Sequence, residues 1–144
     1  YGEMSGRYGE LPGLDYLPTV ERLMLTPHTV SKQALGTGAV LTEELARNWL
    51  KELKEHYDQG QSLYQYGLRR GIPKELARLA LSVGRYSTMR ASGNLRNWLA
   101  FLSLRLHPDA MWEIRQFAQA TLTVIKDQFP RTAALFLKDN EEKV

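Results

Sequence analysis

The sequence predicts a mainly α-helical chain with one short extended segment near residues 82–92. Apolar residues recur at the spacing of an amphipathic helix in three stretches, at about 43–70, 94–105 and 109–128. The extended segment, SVGRYSTMRAS, loses that period and is rich in Ser, Thr and Tyr. The chain has 144 residues, of which 43% are hydrophobic and 24% charged, so we expect a single globular domain over residues 1–144.

The first 40 residues predict few regular elements. Proline and glycine interrupt them at Pro12, Gly13, Pro18, Pro27, Gly36 and Gly38. Residues 20–25 and 30–35 each suit a turn of helix or a short strand, and the pattern does not choose between them. The opening stretch YGEMSGRYGEL is either a polar tail or a functional loop, and its composition alone favours a tail.

The longest predicted helix runs from about 43 to 70. Thr42 suits an N-cap, acidic residues occupy the first turn, and Gly71 is typical of a helix end. Its apolar stripe comprises Leu45, Trp49, Leu53, Tyr57, Tyr64 and Leu68. Gly60 predicts fraying or a kink in the middle of this helix.

A shorter helix is predicted from Pro73 through Leu81, because proline suits the first position of a helix. Three residues are expected to point inward: Leu76, Ala77 and Ala80. Arg78 would then lie on a buried or half-buried helix.

Two longer helices and one short helix are predicted in the C-terminal half. Asn94 suits the N-cap of helix 94–105, and Pro108 and Asp109 suit the start of helix 109–128. The first stripe contains Leu95, Trp98, Leu99 and Leu102, and the second contains Met111, Ile114, Ala118, Leu122 and Ile125. Pro130 ends the second helix, and residues 132–137 indicate a last short helix before a polar tail. The tryptophans on these stripes, Trp49, Trp98 and Trp112, are expected in the core.

Six arginines are threaded through the apolar stretch 76–116. They are Arg78, Arg85, Arg90, Arg96, Arg105 and Arg115. A guanidinium keeps its charge and forms paired hydrogen bonds to phosphate and carboxylate, so this density predicts an anionic ligand or acidic partners. Arg105 falls on one side of its helix with Trp98 and Phe101, which predicts a ligand contact beside an aromatic face. The alternative, which spacing alone favours, is an arginine that suits the helix C-terminus.

Composition excludes or disfavours several classes of function. The chain has no cysteine, which excludes disulfides, thiolate nucleophiles and cysteine zinc sites. Its three histidines lie far apart without ligand spacing, so we predict no metal site. It contains no 18-residue apolar run and no signal-like N-terminus, so the cytoplasm is the expected location and a membrane is not an expected partner. The net charge of +3 is mild, and small anionic ligands are expected rather than nucleic acid.

Two stretches taken together resemble a known family. YGEMSGRY followed by DYLPTVERL is similar to the signature region of the flavin-dependent thymidylate synthases, and NLRNWLAFLSLR followed by HPDAMWEIRQFA is similar to their C-terminal half. The segment GIPKELARLAL fits the part between them. The family signature begins with an Arg-His-Arg element upstream of the position of Tyr1. The resemblance therefore implies that this chain corresponds to the C-terminal two thirds of a family member whose intact fold is α+β.

The resemblance also implies which residues contact the substrate dUMP. The signature positions that contact the nucleotide match Glu3, Ser5, Gly6 and Arg7. Arg78 matches an arginine that reaches the nucleotide from a neighbouring subunit, in a homotetramer whose active sites lie at subunit interfaces.

One arginine is the catalytic candidate. Arg105 matches the arginine that binds the uracil ring and helps to ionise it at N3, a form of preorganised electrostatic catalysis. Asn94 and Arg96 match flavin-binding positions, and the residue at the position of Glu3 also lies near the flavin in the family.

The family's reaction is the reductive methylation of dUMP to dTMP. It uses FAD as the hydride carrier, NADPH as the reductant and methylenetetrahydrofolate as the carbon donor, without a cysteine nucleophile. Gly2 stands where the signature usually has asparagine, and Ala100 where a flavin-contacting asparagine is common, so weaker flavin binding is expected. Two alternatives remain: a paralogue that modifies a pyrimidine nucleotide differently, for example by hydroxymethylation, and a non-catalytic nucleotide-binding or nucleic-acid-binding module.

Overall fold

The computed structural model describes residues 2–25 and 41–140, and the chain divides into two compact units. The first contains the described residues up to Ala91, and the second begins at Ser92. The chain is mainly helical with a two-stranded antiparallel sheet, which confirms the predicted fold class. That all 144 residues form one domain stays a prediction. Across the two described ranges, no helix has both the length and the apolar character needed to cross a bilayer.

The first unit is built around one long helix. Its elements are β1 (Gly2–Glu3), α1 (Val20–Met24), α2 (Glu43–Arg69), α3 (Lys74–Ala77), a 3-10 turn (Arg78–Ala80) and β2 (Met89–Arg90). α1, α3 and the 3-10 turn each pack against α2. The first of the two ambiguous N-terminal pieces is thus helical, whereas residues 30–35 lie outside the described residues.

Helix α2 begins and ends close to the predicted positions. Thr42 Oγ1 accepts a hydrogen bond from the Leu45 N–H at 3.2 Å, and Gly71, with φ of +80°, has the left-handed backbone that follows many helices. The helix continues through Gly60 rather than fraying there. A Cβ on Gly60 would lie 2.6 Å from the carbonyl oxygen of Ala80. This glycine is therefore needed for close packing of the 3-10 turn on the helix.

The buried side of α2 is shorter than the predicted stripe. Tyr64 is 1% exposed, and Ala46 and Gly67 are also buried. Trp49 is about half exposed, so the core position predicted for it is wrong, and Leu45 on the same stripe is also about half exposed. A helical period shows which side chains share a face, but it does not show how much of that face another element covers.

Residues 73–81 form less α-helix than predicted. α3 ends at Ala77, and the chain tightens into the 3-10 turn that carries Arg78. Ala77 is buried and Ala80 half-buried as expected, whereas Leu76 is exposed, contrary to the prediction. Arg78 is half-buried, as expected, but it lies on the turn rather than on an α-helix.

The extended segment near 82–92 contains β2, as predicted. β2 pairs with β1 in antiparallel fashion, with Gly2 opposite Arg90 and Glu3 opposite Met89. The start of the described chain is thereby held beside residues that are far away in the sequence.

The second unit consists of α4 (Leu95–Arg105), α5 (Trp112–Gln128) and α6 (Pro130–Asp139), with α5 packed against both neighbours. Its hydrophobic core comprises Leu102, Leu106, Ala118, Leu122, Ile125, Ala133 and Phe136. Leu95, Trp98 and Leu99 pack against this core, which confirms the stripe predicted for α4.

Two helix boundaries differ from the prediction. α5 begins at Trp112 rather than near 109, because the preceding residues form a turn in which the Ala110 N–H donates to the carbonyl oxygen of His107 at 3.0 Å. Met111 lies before the helix and is exposed rather than inward. α6 begins at Pro130 itself, whose ring suits the first turn of a helix.

Candidate functional site

A loop of residues 5–13, called the N-terminal loop below, is closed at both ends by one segment of the chain. Before the loop, the Met4 N–H donates to the carbonyl oxygen of Thr88 at 2.8 Å. After it, the Tyr86 N–H donates to the carbonyl oxygen of Leu14 at 2.9 Å. The opening stretch of the sequence is therefore an ordered loop with anchored ends, not the polar tail that composition favoured.

Ser5 organises the first turn of this loop. Its carbonyl oxygen accepts hydrogen bonds from the Tyr8 and Gly9 N–H groups, both at 3.1 Å, and its Oγ accepts one from the Arg7 N–H at 3.3 Å. The Arg7 side chain is exposed. A hydroxyl that bonds to backbone two residues on is typical of a tight turn, so Ser5 shapes the loop that carries Arg7.

The same loop brings Gly6 against Arg78. Gly6 is buried, and a Cβ at this position would lie 3.5 Å from Cδ of Arg78 and 3.2 Å from Cδ1 of Leu11. Two predicted nucleotide contacts that are distant in the sequence therefore meet in the structure. Within residues 2–25 and 41–140, no carboxylate forms an ion pair with Arg78, which leaves its guanidinium available to an anion.

Glu3 is the predicted site residue nearest the start of the chain. Its side chain accepts a hydrogen bond on Oε1 from Ser87 Oγ at 2.5 Å. Glu3 is exposed on β1, and the bond fixes one carboxylate oxygen while the other can still accept from a ligand. Sequence reasoning missed Ser87, because nothing in the spacing of the chain shows that it faces Glu3 across the sheet.

Arg85 has an acidic partner in this unit. Its Nη2 lies 3.0 Å from Oδ2 of Asp15, and the two side chains are 4% and 12% exposed. Its Nη1 donates to the carbonyl oxygen of Pro12 at 2.8 Å. Of the two explanations for the arginine-rich stretch, the acidic partner therefore applies to Arg85, and the anionic ligand still applies to Arg78.

The two predicted flavin-binding residues lie at the start of α4. Asn94 is the N-cap, as predicted, with its Oδ1 accepting from the Asn97 N–H at 2.9 Å. Arg96 is exposed in the first turn. A helix N-terminus carries partial positive charge, and with an exposed guanidinium beside it this end of α4 has the donor chemistry that a nucleotide pyrophosphate requires. The residues present thus fit a dinucleotide cofactor.

Arg105 lies in the last turn of α4 and is exposed. It borders a depression of about 420 Å³. The other lining residues are Ser103, Leu104, His107, Asp109 and Ala110. His107 Nδ1 accepts a hydrogen bond from the Asp109 N–H at 3.2 Å, so the turn after α4 closes one side of the depression. The arrangement places an exposed guanidinium in the same depression as the polar side chains of Ser103, His107 and Asp109.

The aromatic residues near Arg105 have a packing role. The rings of Trp98 and Phe101 meet edge to face at 6.0 Å, and Phe101 meets Phe117 in the same way at 5.8 Å. Trp98 and Phe101 also pack against the hydrophobic core. The aromatic side chains predicted beside Arg105 are therefore half-buried and cover one side of the hydrophobic core of the second unit.

The predicted site residues fall into two groups. The first unit holds Glu3, Ser5, Gly6, Arg7 and Arg78, and the second holds Asn94, Arg96 and Arg105. Asn94 and Arg105 lie at opposite ends of α4, whose 11 residues span roughly 16 Å at 1.5 Å per residue. The two ends of α4 are therefore too far apart for both to reach one small group of a ligand.

Comparison with known proteins assigns the chain to a family. The family model described as "Thymidylate synthase complementing protein" matches residues 1–131. A flavin-dependent thymidylate synthase from Thermus thermophilus is 35% identical over 134 residues, which are 93% of this chain and 47% of that protein. Another from Pseudothermotoga lettingae is 33% identical over 138 residues, 96% of this chain and 57% of that protein. The chain spans about half the length of the curated relatives it matches.

A solved structure agrees with these relatives. The crystal structure of a UMP/dUMP methylase from Streptomyces cacaoi, bound with 5-Br dUMP, has a TM-score of 0.79 and 29% sequence identity to this chain, covering 95% of this chain and 60% of that one. Sequence and fold thus lead to the same family, and the family model covers most of the chain. The chain belongs to the thymidylate synthase complementing protein family, that of the flavin-dependent thymidylate synthases.

Proposed function

We propose that this chain forms the C-terminal portion of a flavin-dependent thymidylate synthase that methylates dUMP reductively to dTMP. FAD is the proposed cofactor, and NADPH and methylenetetrahydrofolate are the proposed co-substrates. The observation that carries the proposal is the meeting of Gly6 and Arg78, because it joins a signature loop to a half-buried arginine with no acid partner among the described residues. Both groups would then reach the same nucleotide together, in a site at a subunit interface. The Streptomyces cacaoi neighbour, a methylase bound to a dUMP analogue, supports the same substrate class.

The roles proposed for the first unit are binding and orientation. Arg7 and Arg78 supply guanidinium groups suited to the phosphate of a nucleotide. The hydrogen bonds of Ser5 hold the loop, so less conformational freedom is lost when the ligand binds. Glu3, held by Ser87, is positioned to accept a hydrogen bond from the nucleotide or the flavin.

The role proposed for Arg105 is electrostatic. A guanidinium beside the uracil edge stabilises the negative charge that develops when the ring is ionised at N3. This effect is large where water is excluded, and Arg105 is exposed in the chain by itself. We therefore expect bound ligands and a second subunit to cover it.

The proposed assembly is a homotetramer with interfacial active sites. Several large apolar side chains are at least half exposed, which supports contact with further copies of the chain. They include Leu63, Tyr66, Leu79, Leu104, Phe117 and Leu135. The proposed location is the cytoplasm, where the nucleotide and folate substrates would be available.

The flavin would supply the hydride chemistry when bound, and the start of α4 would hold it. The exposed amide of Asn94 and the guanidinium of Arg96 would bind its phosphates. Ala100 is exposed on the same helix and offers no side-chain donor, so we expect weaker flavin binding than a chain with asparagine there would have.

The first experiment is an absorption spectrum of the purified full-length protein, before and after adding dUMP. A flavin spectrum that shifts with dUMP is expected, because the proposal places both ligands in one site. UMP is the comparison ligand, since the solved neighbour is named for both nucleotides. The mass of the product then separates methylation from hydroxymethylation. No flavin spectrum, even after reconstitution with FAD, would contradict the proposal and favour a nucleotide-binding module without catalysis.

A further inference from the structure

The ion pair between Arg85 and Asp15 lies where the chain leaves the N-terminal loop. Asp15 also accepts a hydrogen bond on Oδ1 from Ser82 Oγ at 3.1 Å, and Arg85 donates to the carbonyl oxygen of Pro12, a residue of the loop itself. Asp15 and Arg85 also form an isolated antiparallel bridge through their backbones. Side chains and backbone therefore tie the loop exit to residues 82–85 at several points.

The buried ion pair between Arg85 and Asp15 is not expected to add much to the stability of the fold. Removing two charges from water costs free energy, and well-packed apolar side chains of similar volume are often equally stable or better. The Arg85 Nε is moreover buried without a hydrogen-bond partner among the described residues, which adds to the cost. The pair instead constrains the conformation of the loop exit. A planar guanidinium that contacts both the Asp15 carboxylate and the Pro12 carbonyl oxygen allows few positions for these residues.

We infer that Arg85 is a positioning residue, which with Asp15 sets the conformation of the N-terminal loop for nucleotide binding. This inference rests on the proposed function. Arg85 does not touch the ligand, since its side chain is 4% exposed. It acts through the loop, whose other end carries Ser5, Gly6 and Arg7.

The test replaces the pair by apolar residues, in the double variant Asp15→Leu/Arg85→Met of the full-length protein. Because the core remains filled, the thermal midpoint is expected to change little, while the KM for dUMP rises about 10- to 100-fold, the scale of misplacing a binding group by about 1 Å. The kcat at saturating dUMP should change less than the KM. The single variant Arg85→Lys keeps the positive charge but cannot contact Asp15 and the Pro12 carbonyl oxygen with two separate nitrogens. Its KM for dUMP should therefore lie between those of the wild type and the double variant.

A second readout does not depend on nucleotide binding. Trypsin cleavage after the exposed Arg7, followed by mass spectrometry, reports opening of the loop, and it should be faster in the double variant. The matched control is Glu43→Leu/Arg47→Met, which removes an exposed ion pair on α2 and should change neither the KM nor the cleavage at Arg7.

The outcomes separate this inference from the proposed function. If wild-type protein binds neither dUMP nor UMP, the proposed function fails, and cleavage at Arg7 alone decides whether the pair anchors the loop. If wild-type protein binds dUMP and the double variant is unchanged in both the KM and the cleavage at Arg7, the inference is overturned. A loss of thermal stability with an unchanged KM would also overturn it, since the pair would then serve folding alone.

Discussion

The backbone of Gly6 lies against the side chain of Arg78, with 3.5 Å between Arg78 Cδ and the position that a Cβ on Gly6 would occupy. The loop and the arginine come from opposite ends of the first unit's sequence. Their contact places a signature segment of the family against the aliphatic stem of a half-buried arginine. A side chain larger than hydrogen at Gly6 would also press on Leu11, at 3.2 Å. The shape of the proposed nucleotide site thus depends on a glycine.

Gly6→Val should therefore weaken nucleotide binding. The added methyl groups would displace Leu11 or the stem of Arg78, and we expect the KM for dUMP to rise about tenfold, equivalent to about 1.4 kcal/mol. Steady-state kinetics with dUMP measures this. Gly9→Val is the matched control, because its nearest neighbour is the flexible end of Met4 at 3.5 Å. Equal effects of both variants would show that loop flexibility, not contact with Arg78, governs binding.

Arg105→Ala should lower turnover by at least about two orders of magnitude, the scale for removing a donor that stabilises a developing negative charge. The measurement is kcat for dTMP formation at saturating substrates. Arg131→Ala, which removes an exposed arginine from α6, should leave turnover unchanged. Near-normal turnover in Arg105→Ala would exclude the catalytic role and leave the simpler explanation of an arginine that suits the end of α4.

Gly60→Ala should destabilise the protein although alanine favours helix. The gain in helix propensity is about 1 kcal/mol, but the new Cβ would lie 2.6 Å from a backbone oxygen of Ala80, which cannot rotate away. We expect a net loss in the free energy of unfolding on the order of 1–3 kcal/mol, measured by urea denaturation. Gln59→Ala, at an exposed position of the same helix, is the control. A more stable Gly60→Ala variant would mean that α2 and the 3-10 turn are further apart than the structure shows.

The burial of Tyr64 leads us to expect a lower free energy of unfolding at alkaline pH. Burial raises its pKa above the ordinary 10.0 and the nearby Glu10 carboxylate adds to the rise, whereas Arg85 and a backbone hydrogen bond at Leu11 oppose it. The folded state therefore keeps the phenolic proton when the unfolded chain has released it. The free energy of unfolding must then fall as the pH rises above about 10.

Tyr64→Phe should remove this part of the pH dependence. Urea denaturation at about pH 8 and about pH 11 measures the difference, which should shrink in Tyr64→Phe and persist in Tyr66→Phe, where the side chain is half exposed. At neutral pH the free energy of unfolding should change by no more than about 1 kcal/mol, the usual scale of one hydrogen bond. An unchanged alkaline slope would contradict the burial of the Tyr64 hydroxyl.

Much of the fold could be predicted because the interactions that decide it are local. The caps Thr42 and Asn94 each bond to an N–H three residues ahead, and the left-handed Gly71 follows directly on its helix. Errors occurred where another element decides the result. Gly60 lies within an unbroken helix, and its missing side chain allows the close approach of Ala80. Trp49 lies on the predicted stripe, but its side chain stays about half exposed.

The candidate site divides in the same way. The resemblance to the family predicted Glu3, Ser5, Gly6, Arg7 and Arg78 as site residues from their motifs, and the structure brings these residues into one unit. It did not identify Ser87 as the partner of Glu3, or Asp15 as the partner of Arg85. Both pairs join residues at least 70 positions apart, and no pattern of composition or spacing carries that information.

Most of the helices, their caps and the family could thus be predicted from the sequence, since these follow from residues close together along the chain or from an ordered series of motifs. Only the folded chain shows that Arg85 is bound to an acid, whereas Arg78 has no acid partner within residues 2–25 and 41–140. Arg78 and Arg85 are seven residues apart on the same stretch, yet Arg85 meets Asp15 and Arg78 meets the backbone of Gly6. The physical reason is that the environment of a buried charge is set by contacts between distant segments, which exist only after the chain has folded.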